Sequence, residues 1–213
     1  MEEIQVRFAQ KYHVSRETFL QLTDYVAILK KWQAKINLVS NNTIDSIWER
    51  HIEDSLQLTS YVPRGTSQII DIGSGGGLPG IVLAAALKTP IALVESDTKK
   101  CAFLSEATRT LGLTNCKIYN SRIEKAKIEI SNNTHVVISA RALAEIYEIF
   151  RLVVNLKENN GFSVFTLILP KGKTAAIELD KAKQDWSFEA ESYPSNTEQD
   201  ASILVIRNLR GNK

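Results

Sequence analysis

The chain has 213 residues, 44% hydrophobic and 23% charged, with a formal net charge of +2, which suits one globular domain with a modest extension and excludes a disordered polyelectrolyte. A pI near 8.5 permits a nucleic-acid partner without demanding one, so a local patch would have to supply the attraction. Cys101 and Cys116 have no C-x-x-C spacing and are expected to be reduced thiols in a cytoplasmic protein; the acidic, amphipathic N-terminus lacks a signal-peptide core, and no apolar run reaches membrane-spanning length.

The first sixty residues contain neither proline nor glycine and are predicted to be helical. Ser15 is placed as an N-cap, with Glu17 in the first turn. Phe19, Leu22, Val26 and Leu29 follow at 3-4-3 spacing, and Trp32 and Ile36 extend the stripe, which is expected to pack against the rest of the chain. The polar turn Ser40-Asn-Asn-Thr43 interrupts the pattern, and Ile47, Trp48, Ile52, Leu56 and Leu58 resume it between Ile44 and Leu58. Pro63-Arg-Gly65 then punctuates the chain, dividing a helical extension, residues 1–60, from a second unit, residues 61–213. Asn41-Asn-Thr43 and Asn132-Asn-Thr134 match the glycosylation pattern, which means little without secretion.

From Ile69 onward strands and helices alternate, the signature of a mainly parallel sheet. Strands are predicted near 69–72, 91–95, 116–119, 136–140 and 162–169, and helices near 79–88, 98–111, 143–157 and 173–184. Two strand-like segments, Ser187 to Tyr193 and Ser202 to Asn208, joined by Pro194–Asp200, read as a closing hairpin. The expected fold class is therefore α/β and Rossmann-like. It has a mainly parallel seven-stranded sheet, a C-terminal antiparallel hairpin and an N-terminal helical extension, the layout of class I methyltransferases that use S-adenosyl-L-methionine (SAM).

Ile69-Ile-Asp-Ile-Gly-Ser-Gly-Gly-Gly-Leu-Pro-Gly-Ile81 is the stretch on which function turns. A short apolar run is followed by five glycines within eight positions and then by an apolar helix start. Strand, glycine turn and helix form a nucleotide-binding βα unit, in which glycines let the backbone turn sharply and approach a ligand. Gly75-Gly-Gly-Leu-Pro-Gly80 fits G-x-G-x-x-G, the dinucleotide fingerprint, and Gly73-Ser-Gly-Gly-Gly77 fits the looser loop found with SAM. Asp71 favours SAM, because a carboxylate at the strand's C-terminal edge would meet an ammonium and repel a pyrophosphate. Glu95, at the end of the next strand, can accept ribose hydroxyls in either case.

Several motifs then fall in order: Asn37-Leu-Val-Ser40, Arg50-His-Ile-Glu-Asp-Ser-Leu56, Asp71 to Ile81, Ser121-Arg-Ile-Glu124, Ser139-Ala-Arg-Ala142 and Lys171-Gly172. Together they resemble the RsmG (GidB) family of bacterial small-subunit ribosomal RNA methyltransferases, over nearly the whole chain. The resemblance implies methylation of N7 of a guanine in the 530 loop of 16S rRNA, with SAM as cofactor and the small ribosomal subunit or an assembly intermediate as partner. It also implies cofactor contacts at Gly73, Leu78, Ile123, Glu124 and Arg141. Asp71, Gly75, Gly77 and Glu95 join them from the general fold. Pro170 departs from the family pattern and puts the backbone path of Lys171 in question.

Arg141 falls just past a buried strand, at the edge where open α/β sheets bind ligands, and is weighed there as a site residue against a structural ion-pair partner. Arg50 and Asp54 stand at i, i+4, the spacing of a helix ion pair. Arg141, Lys171, Arg50 and His51 are the candidates for orienting substrate, although His51 suits hydrogen bonding better than base catalysis, and Lys171 could simply be exposed. Arg50, Arg122, Lys171, Lys173, Arg207 and Arg210 are candidates for RNA phosphates. His13, His51 and His135 are scattered, so no metal is expected. The catalytic set is left open, since guanine N7 carries a lone pair and no proton and its methylation calls for alignment rather than a general base. The chain is expected to be monomeric and off the membrane. Two alternatives remain: a small NAD(P)-dependent oxidoreductase on the same loop, and a non-catalytic ribosome-binding module.

Overall fold

The structure is a computed structural model that describes residues 2–130 and 135–212; the Asn132-Asn-Thr134 pattern lies outside them. Two helices, α1 (Glu2–Tyr12) and α2 (Arg16–Gln33), open the chain. Ser15 caps α2, its hydroxyl accepting from the Thr18 N–H at 3.1 Å, a contact worth about 0.5–2 kcal/mol.

The segment expected as a regular helix between Ile44 and Leu58 is irregular. A 3₁₀ turn, Asn41–Thr43, is followed by a π-helical stretch, Trp48–Glu53, a single α turn α3 (Asp54–Leu56), and another 3₁₀ turn, Gln57–Tyr61. The apolar spacing explains this. Ile47 and Ile52, both fully buried, are five residues apart, one too many for an α-helical face and suited to the wider π turn.

The sheet comprises β1 (Thr66–Ile72), β2 (Ile91–Glu95), β3 (Cys116–Asn120), β4 (His135–Ser139), β5 (Phe165–Lys171), β6 (Trp186–Pro194) and β7 (Ser202–Gly211). Their order across the sheet is β3-β2-β1-β4-β5-β7-β6. The first five pair in parallel and β7 runs antiparallel to both β5 and β6. Central strands such as β2, buried at every position, are near-continuous apolar runs because both faces are covered.

The covering helices are α4 (Gly80–Ala86), α5 (Thr98–Thr110), α6 (Ile146–Asn160) and α7 (Ala175–Ala182). One face packs Ile69, Leu93 and Val137 against α4, α5 and the N-terminal helices in a continuous core that includes Phe8, Phe19, Leu22 and Leu29. The other packs Ile70, Val94 and Ile138 against α6 and α7, through Ile149, Phe150, Val153 and Ala182.

Helix α6 begins three residues later than its sequence pattern suggests. Ala142 adopts φ 52, which no continuing helix permits, and the first-turn N–H of Ile146 donates to Glu178 of α7 at 2.9 Å. Pro170 leaves Lys171 in the strand: β5 continues its pairing with β7 through Pro170–Ile203 and Lys171–Ser202, past the last β4 partner, Ile168. A proline is tolerated where one flank of the strand is no longer paired.

The chain runs from β1 outward to β3 and then returns to place β4 on the other side of β1. That switch point opens a crevice at the C-terminal ends of β1 and β4, where sheets of this kind bind ligands.

Candidate active site

The glycine loop fills that crevice from below. Gly73, Gly75 and Gly77 all adopt positive φ, at 66, 54 and 80. A Cβ at Gly73 would lie 2.5 Å from Leu143 Cδ1, one at Gly77 2.5 Å from Ile81 Cδ1, and one at Gly80 2.3 Å from Leu93 Cδ2. These three glycines let the loop lie against the protein. Gly75 differs: a Cβ there would meet only Gly73 O, at 3.8 Å, so the space above it is open. The loop therefore offers a bare backbone cradle that a small ligand can enter and a side chain would obstruct.

Two acids hold the loop in this shape. Asp71 is 1% exposed; its Oδ1 accepts from Ser139 Oγ at 2.9 Å and its Oδ2 from the Gly80 N–H at 3.2 Å. Burial raises its pKa to about 6, although Ser139, Gly80 and the charge of Arg141 favour the ion. Glu95 accepts from the Gly75 N–H at 2.8 Å through one oxygen and from the Asp97 N–H at 2.8 Å through the other. From above, the hydroxyl of the fully buried Tyr25 donates to Gly76 O, and the backbone of Leu38 approaches Gly76 so closely that a Cβ would lie 3.1 Å from Leu38 O.

The crevice continues into a cavity of about 870 Å³. Its walls include Asn37–Asn41, Gly73–Gly76, Leu78, Arg50, His51, Asp54, Lys100, Arg141, Lys171, Glu178 and Glu198. Segments from the N-terminal layer, the C-terminal ends of β1, β4 and β5, and the hairpin loop thus converge on one space. Gln33 positions the Asn37–Asn41 wall, accepting from the N–H groups of Leu38 and Val39 at 2.9 and 3.1 Å and donating to Val39 O at 2.8 Å.

Arg141 is the hub of the far wall. Its guanidinium donates to Asp54 Oδ2 at 3.2 Å, to Arg50 O at 3.3 Å and to His51 Nδ1 at 2.8 Å. Arginine has no acceptor, so His51 Nδ1 is unprotonated and Nε2 carries the hydrogen, which it donates to Thr43 Oγ1 at 2.7 Å. Thr43 Oγ1 in turn donates to Ser40 O at 2.8 Å. Burial first, then the charges of Arg141 and Arg50, push the His51 pKa down to about 4, which keeps the ring neutral.

Several pairings differ from the spacing-based expectation. Arg50 pairs with Glu198 at 3.1 Å rather than with Asp54, because the π-helical stretch displaces the i, i+4 partner and Arg141 takes the carboxylate. Lys171 is not simply exposed: it is 13% exposed, pairs with Glu178 at 2.6 Å and donates to Ala144 O at 3.0 Å. Arg207 pairs with Glu191 at 3.0 Å.

Of the residues singled out in the sequence, Gly73, Gly75, Leu78, Arg50, His51, Arg141 and Lys171 meet on the cavity wall. Asp71, Gly77 and Glu95 lie behind or beneath the loop. Ile123 and Glu124 form a 3₁₀ turn after β3, outside the cavity walls; Asn159 of α6 donates to Glu124 O at 2.8 Å. Tyr25, Gln33 and Thr43 were not singled out. Tyr25 reads as one more residue of a packing stripe, and only its contact with Gly76 distinguishes it. Among the described residues no cluster of potential metal ligands is present, and no helix is long and apolar enough to cross a membrane.

Comparison with known proteins agrees with this geometry. Residues 19–204 match the family described as GidB, rRNA small subunit methyltransferase G. A ribosomal RNA small subunit methyltransferase G of Ruegeria sp. (strain TM1040) is 43% identical over 201 residues, covering 92% of this chain and 93% of the relative. Its counterpart in Methylorubrum extorquens is 40% identical over 211 residues, covering 97% and 96%. Among solved structures, a SAM-dependent methyltransferase from Aquifex aeolicus aligns with TM-score 0.54 at 14% identity, over 85% of this chain and 97% of that one. The O-methyltransferase TomG from Streptomyces achromogenes, in complex with SAM, aligns with TM-score 0.56 at 12% identity over 96% of each chain. These two share the fold. The sheet order, the glycine loop beneath an open cradle and the sequence match together place this chain in the rRNA small subunit methyltransferase G family, on the class I methyltransferase fold.

Proposed function

We propose that the protein methylates N7 of a guanine in the 530 loop of 16S rRNA, acting on the small ribosomal subunit or an assembly intermediate. The observation that carries this reading is the state of the groups in the cavity. Asp54 accepts from Arg141, Gln57 and Thr197; Glu178 accepts from Lys171, Thr174 and the Ile146 N–H; Glu198 pairs with Arg50. Both ring nitrogens of His51 are also engaged. A cavity whose carboxylates and imidazole are all committed to hydrogen bonds suits a nucleophile that brings its own lone pair. Guanine N7 is such an atom, and its methylation asks for alignment rather than proton removal.

The cofactor supplies a methyl group on a positively charged sulfur. The residues that would hold it are those of the cradle, Gly73, Gly75 and Leu78, with Ile123 and Glu124 past β3. Asp71 and Glu95 act on the loop through Gly80 and Gly75, and Gly77 packs the loop onto α4. Arg141 belongs at the boundary between cofactor and base, away from the sulfonium that its charge would repel. A guanidinium fork on both O6 and N7 is a common guanine contact, but it would cover the reacting atom, so any donor to this guanine contacts O6 alone. RNA loops present splayed bases that a pocket of this size can accept. The dinucleotide alternative is disfavoured by the antiparallel β7 lying between β5 and β6, which gives the methyltransferase rather than the dinucleotide sheet order.

The test is incubation of the protein with isotopically labelled SAM and small-subunit particles, extracted 16S rRNA and partial particles in parallel. Nucleoside mass spectrometry then maps the label. Labelled N7-methylguanosine in the 530 loop is the expected result. Label on another atom or in another loop rejects the proposed site, and tight cofactor binding with no transfer favours a non-catalytic ribosome-binding role.

A further inference from the structure

Of the six cations nominated from the sequence for RNA contact, Arg50, Lys171 and Arg207 each pair with a carboxylate. Arg122, Lys173 and Arg210 form no ion pair among the described residues but are scattered, after β3, before α7 and at the end of β7. Another uncommitted group is gathered in one place. Lys31, Lys35, Lys99 and Lys100 form no ion pair among the described residues; the first three are exposed and Lys100 is half-buried on the cavity wall.

The packing of α2 on α5 brings these four together. Gln21 in the first half of α2 donates to Leu111 O just past the end of α5, while Tyr25 and Trp32, further along, both contact Phe103 in the middle of α5. The helices therefore run antiparallel, and the C-terminal end of α2 lies beside the N-terminal end of α5. Lys31 is in the last turn of α2 and Lys35 just past its end, its N–H donating to Trp32 O at 2.8 Å, so both flank the Trp32 that meets α5. Lys99 is one turn before Phe103, on the flank that meets α2. Asp97, the acid at the head of α5, has its carboxylate occupied in capping the helix through the N–H groups of Lys99 and Lys100.

We infer that Lys31, Lys35, Lys99 and Lys100 form a ridge along the cavity mouth that holds the phosphodiester backbone of the RNA beside the nucleotide entering the cavity. This rests on the RNA reading above. The ridge has the required chemistry: flexible ammonium groups with no protein carboxylate to displace, at the spacing of neighbouring helices, and continuous with the cavity through Lys100. Phosphate contacts carry no sequence information but set register, so this surface positions the strand and leaves base choice to the cavity.

The test uses the full chain with all four lysines changed to glutamine (Lys31→Gln, Lys35→Gln, Lys99→Gln, Lys100→Gln). A control variant removes the same charge from exposed positions elsewhere (Arg16→Gln, Arg64→Gln, Lys88→Gln, Lys127→Gln). Affinity for in-vitro transcribed small-subunit rRNA is measured from low to physiological salt, and S-adenosylhomocysteine affinity is measured by calorimetry in the same preparations. The ridge variant should bind RNA about tenfold or more weakly at physiological salt and lose about three from the slope of log affinity against log salt, roughly 0.7 per released contact on a single strand. In a companion variant that keeps Lys100 (Lys31→Gln, Lys35→Gln, Lys99→Gln) S-adenosylhomocysteine affinity should equal that of the wild type, and the control should keep its RNA slope. Unchanged RNA affinity and slope in the ridge variant overturn the proposal, as does an equal loss in the control, which would mean bulk charge. Binding of the wild type to anionic lipid vesicles, lost in a ridge variant that still binds RNA, assigns the ridge to a membrane surface and also overturns it. Failure of the wild type to methylate small-subunit RNA is a separate outcome, and counts against the function proposed above.

Discussion

Arg141 Nη2 stands 2.8 Å from His51 Nδ1, joining residues ninety positions apart. Arg141 leaves the end of β4 and His51 sits on the π-helical stretch before β1, so this one contact ties the sheet edge to the N-terminal layer across the cavity. His51 then passes the connection to Thr43 and Ser40. The guanidinium plane is thereby held by three partners at once, which is the arrangement expected of a side chain that must present its two remaining donors in a set direction.

Arg141→Lys keeps the charge and loses the planar fork. With one or two charge-assisted hydrogen bonds gone, at about 1.5–3 kcal/mol each, methyl transfer should fall about ten- to a hundredfold or more. Single-turnover methylation of small-subunit particles, beside a melting curve showing a folded protein, measures this. Undiminished transfer and cofactor affinity would leave Arg141 as the structural partner of Asp54 alone.

His51 makes the stability of the fold acid-sensitive. Its pKa falls from 6.5 to about 4 on folding, so between those values the unfolded chain binds the extra proton. The neutral ring's contribution is complete above about pH 6.5 and is lost as pH falls towards 4, at most on the order of 3 kcal/mol. Asp71 works oppositely. Its pKa rises from 3.8 to about 6, so its contribution is complete below 3.8 and is lost as pH rises through 6. His51→Asn keeps an acceptor facing Arg141 and cannot protonate. Chemical denaturation from pH 4 to 7 should show a flatter loss on the acid side for His51→Asn than for the wild type, and identical slopes would contradict a neutral buried His51.

The glycines of the loop should separate by experiment. Gly80→Ala drives a Cβ to within 2.3 Å of Leu93 Cδ2 and 2.7 Å of Asp71 Oδ2, and should destabilise the fold by about 1–3 kcal/mol through overpacking. Gly75→Val meets no such wall. It incurs about 1–2 kcal/mol for a positive φ and fills the cradle, so a folded protein with abolished S-adenosylhomocysteine binding is expected. Calorimetry and thermal melting on both variants decide it; full cofactor affinity in Gly75→Val would mean that the cofactor lies elsewhere.

Tyr25→Phe removes only the hydroxyl that donates to Gly76 O. Leaving that carbonyl without its partner should cost about 1–3 kcal/mol of stability and weaken cofactor affinity, because the loop loses its restraint from α2. Burial also raises the Tyr25 pKa well above the ordinary phenol range, so the effect should not vary with pH across the neutral region. Unchanged melting and unchanged S-adenosylhomocysteine affinity would show that α2 merely covers the loop.

Much of the fold was legible in the sequence because its signals are local. The alternation of apolar runs with helical periodicity marks β1 to β5 and α4 to α7, the glycines mark the turn after β1, and Ser15 marks the start of α2. The irregular stretch from Asn41 to Tyr61 was not legible as such, since a stripe of apolar residues reads as a helix until the five-residue step from Ile47 to Ile52 is seen to be satisfied by a π turn. The start of α6 was misplaced for the same kind of reason: Glu178, thirty-two residues away, caps it.

The candidate site divides along the same line. Motif order in the sequence was enough to nominate Gly73, Gly75, Leu78, His51 and Arg141. Their partners required the folded chain, because a hydrogen bond or ion pair is decided by which groups the packing brings within about 3 Å. Arg50 turned to Glu198, Asp54 to Arg141, Lys171 to Glu178, and Tyr25 to the glycine loop. Residue type and local spacing determine what each side chain can do; the crossing of β4 beside β1 and the seating of α2 on α5 decide which of them do it together.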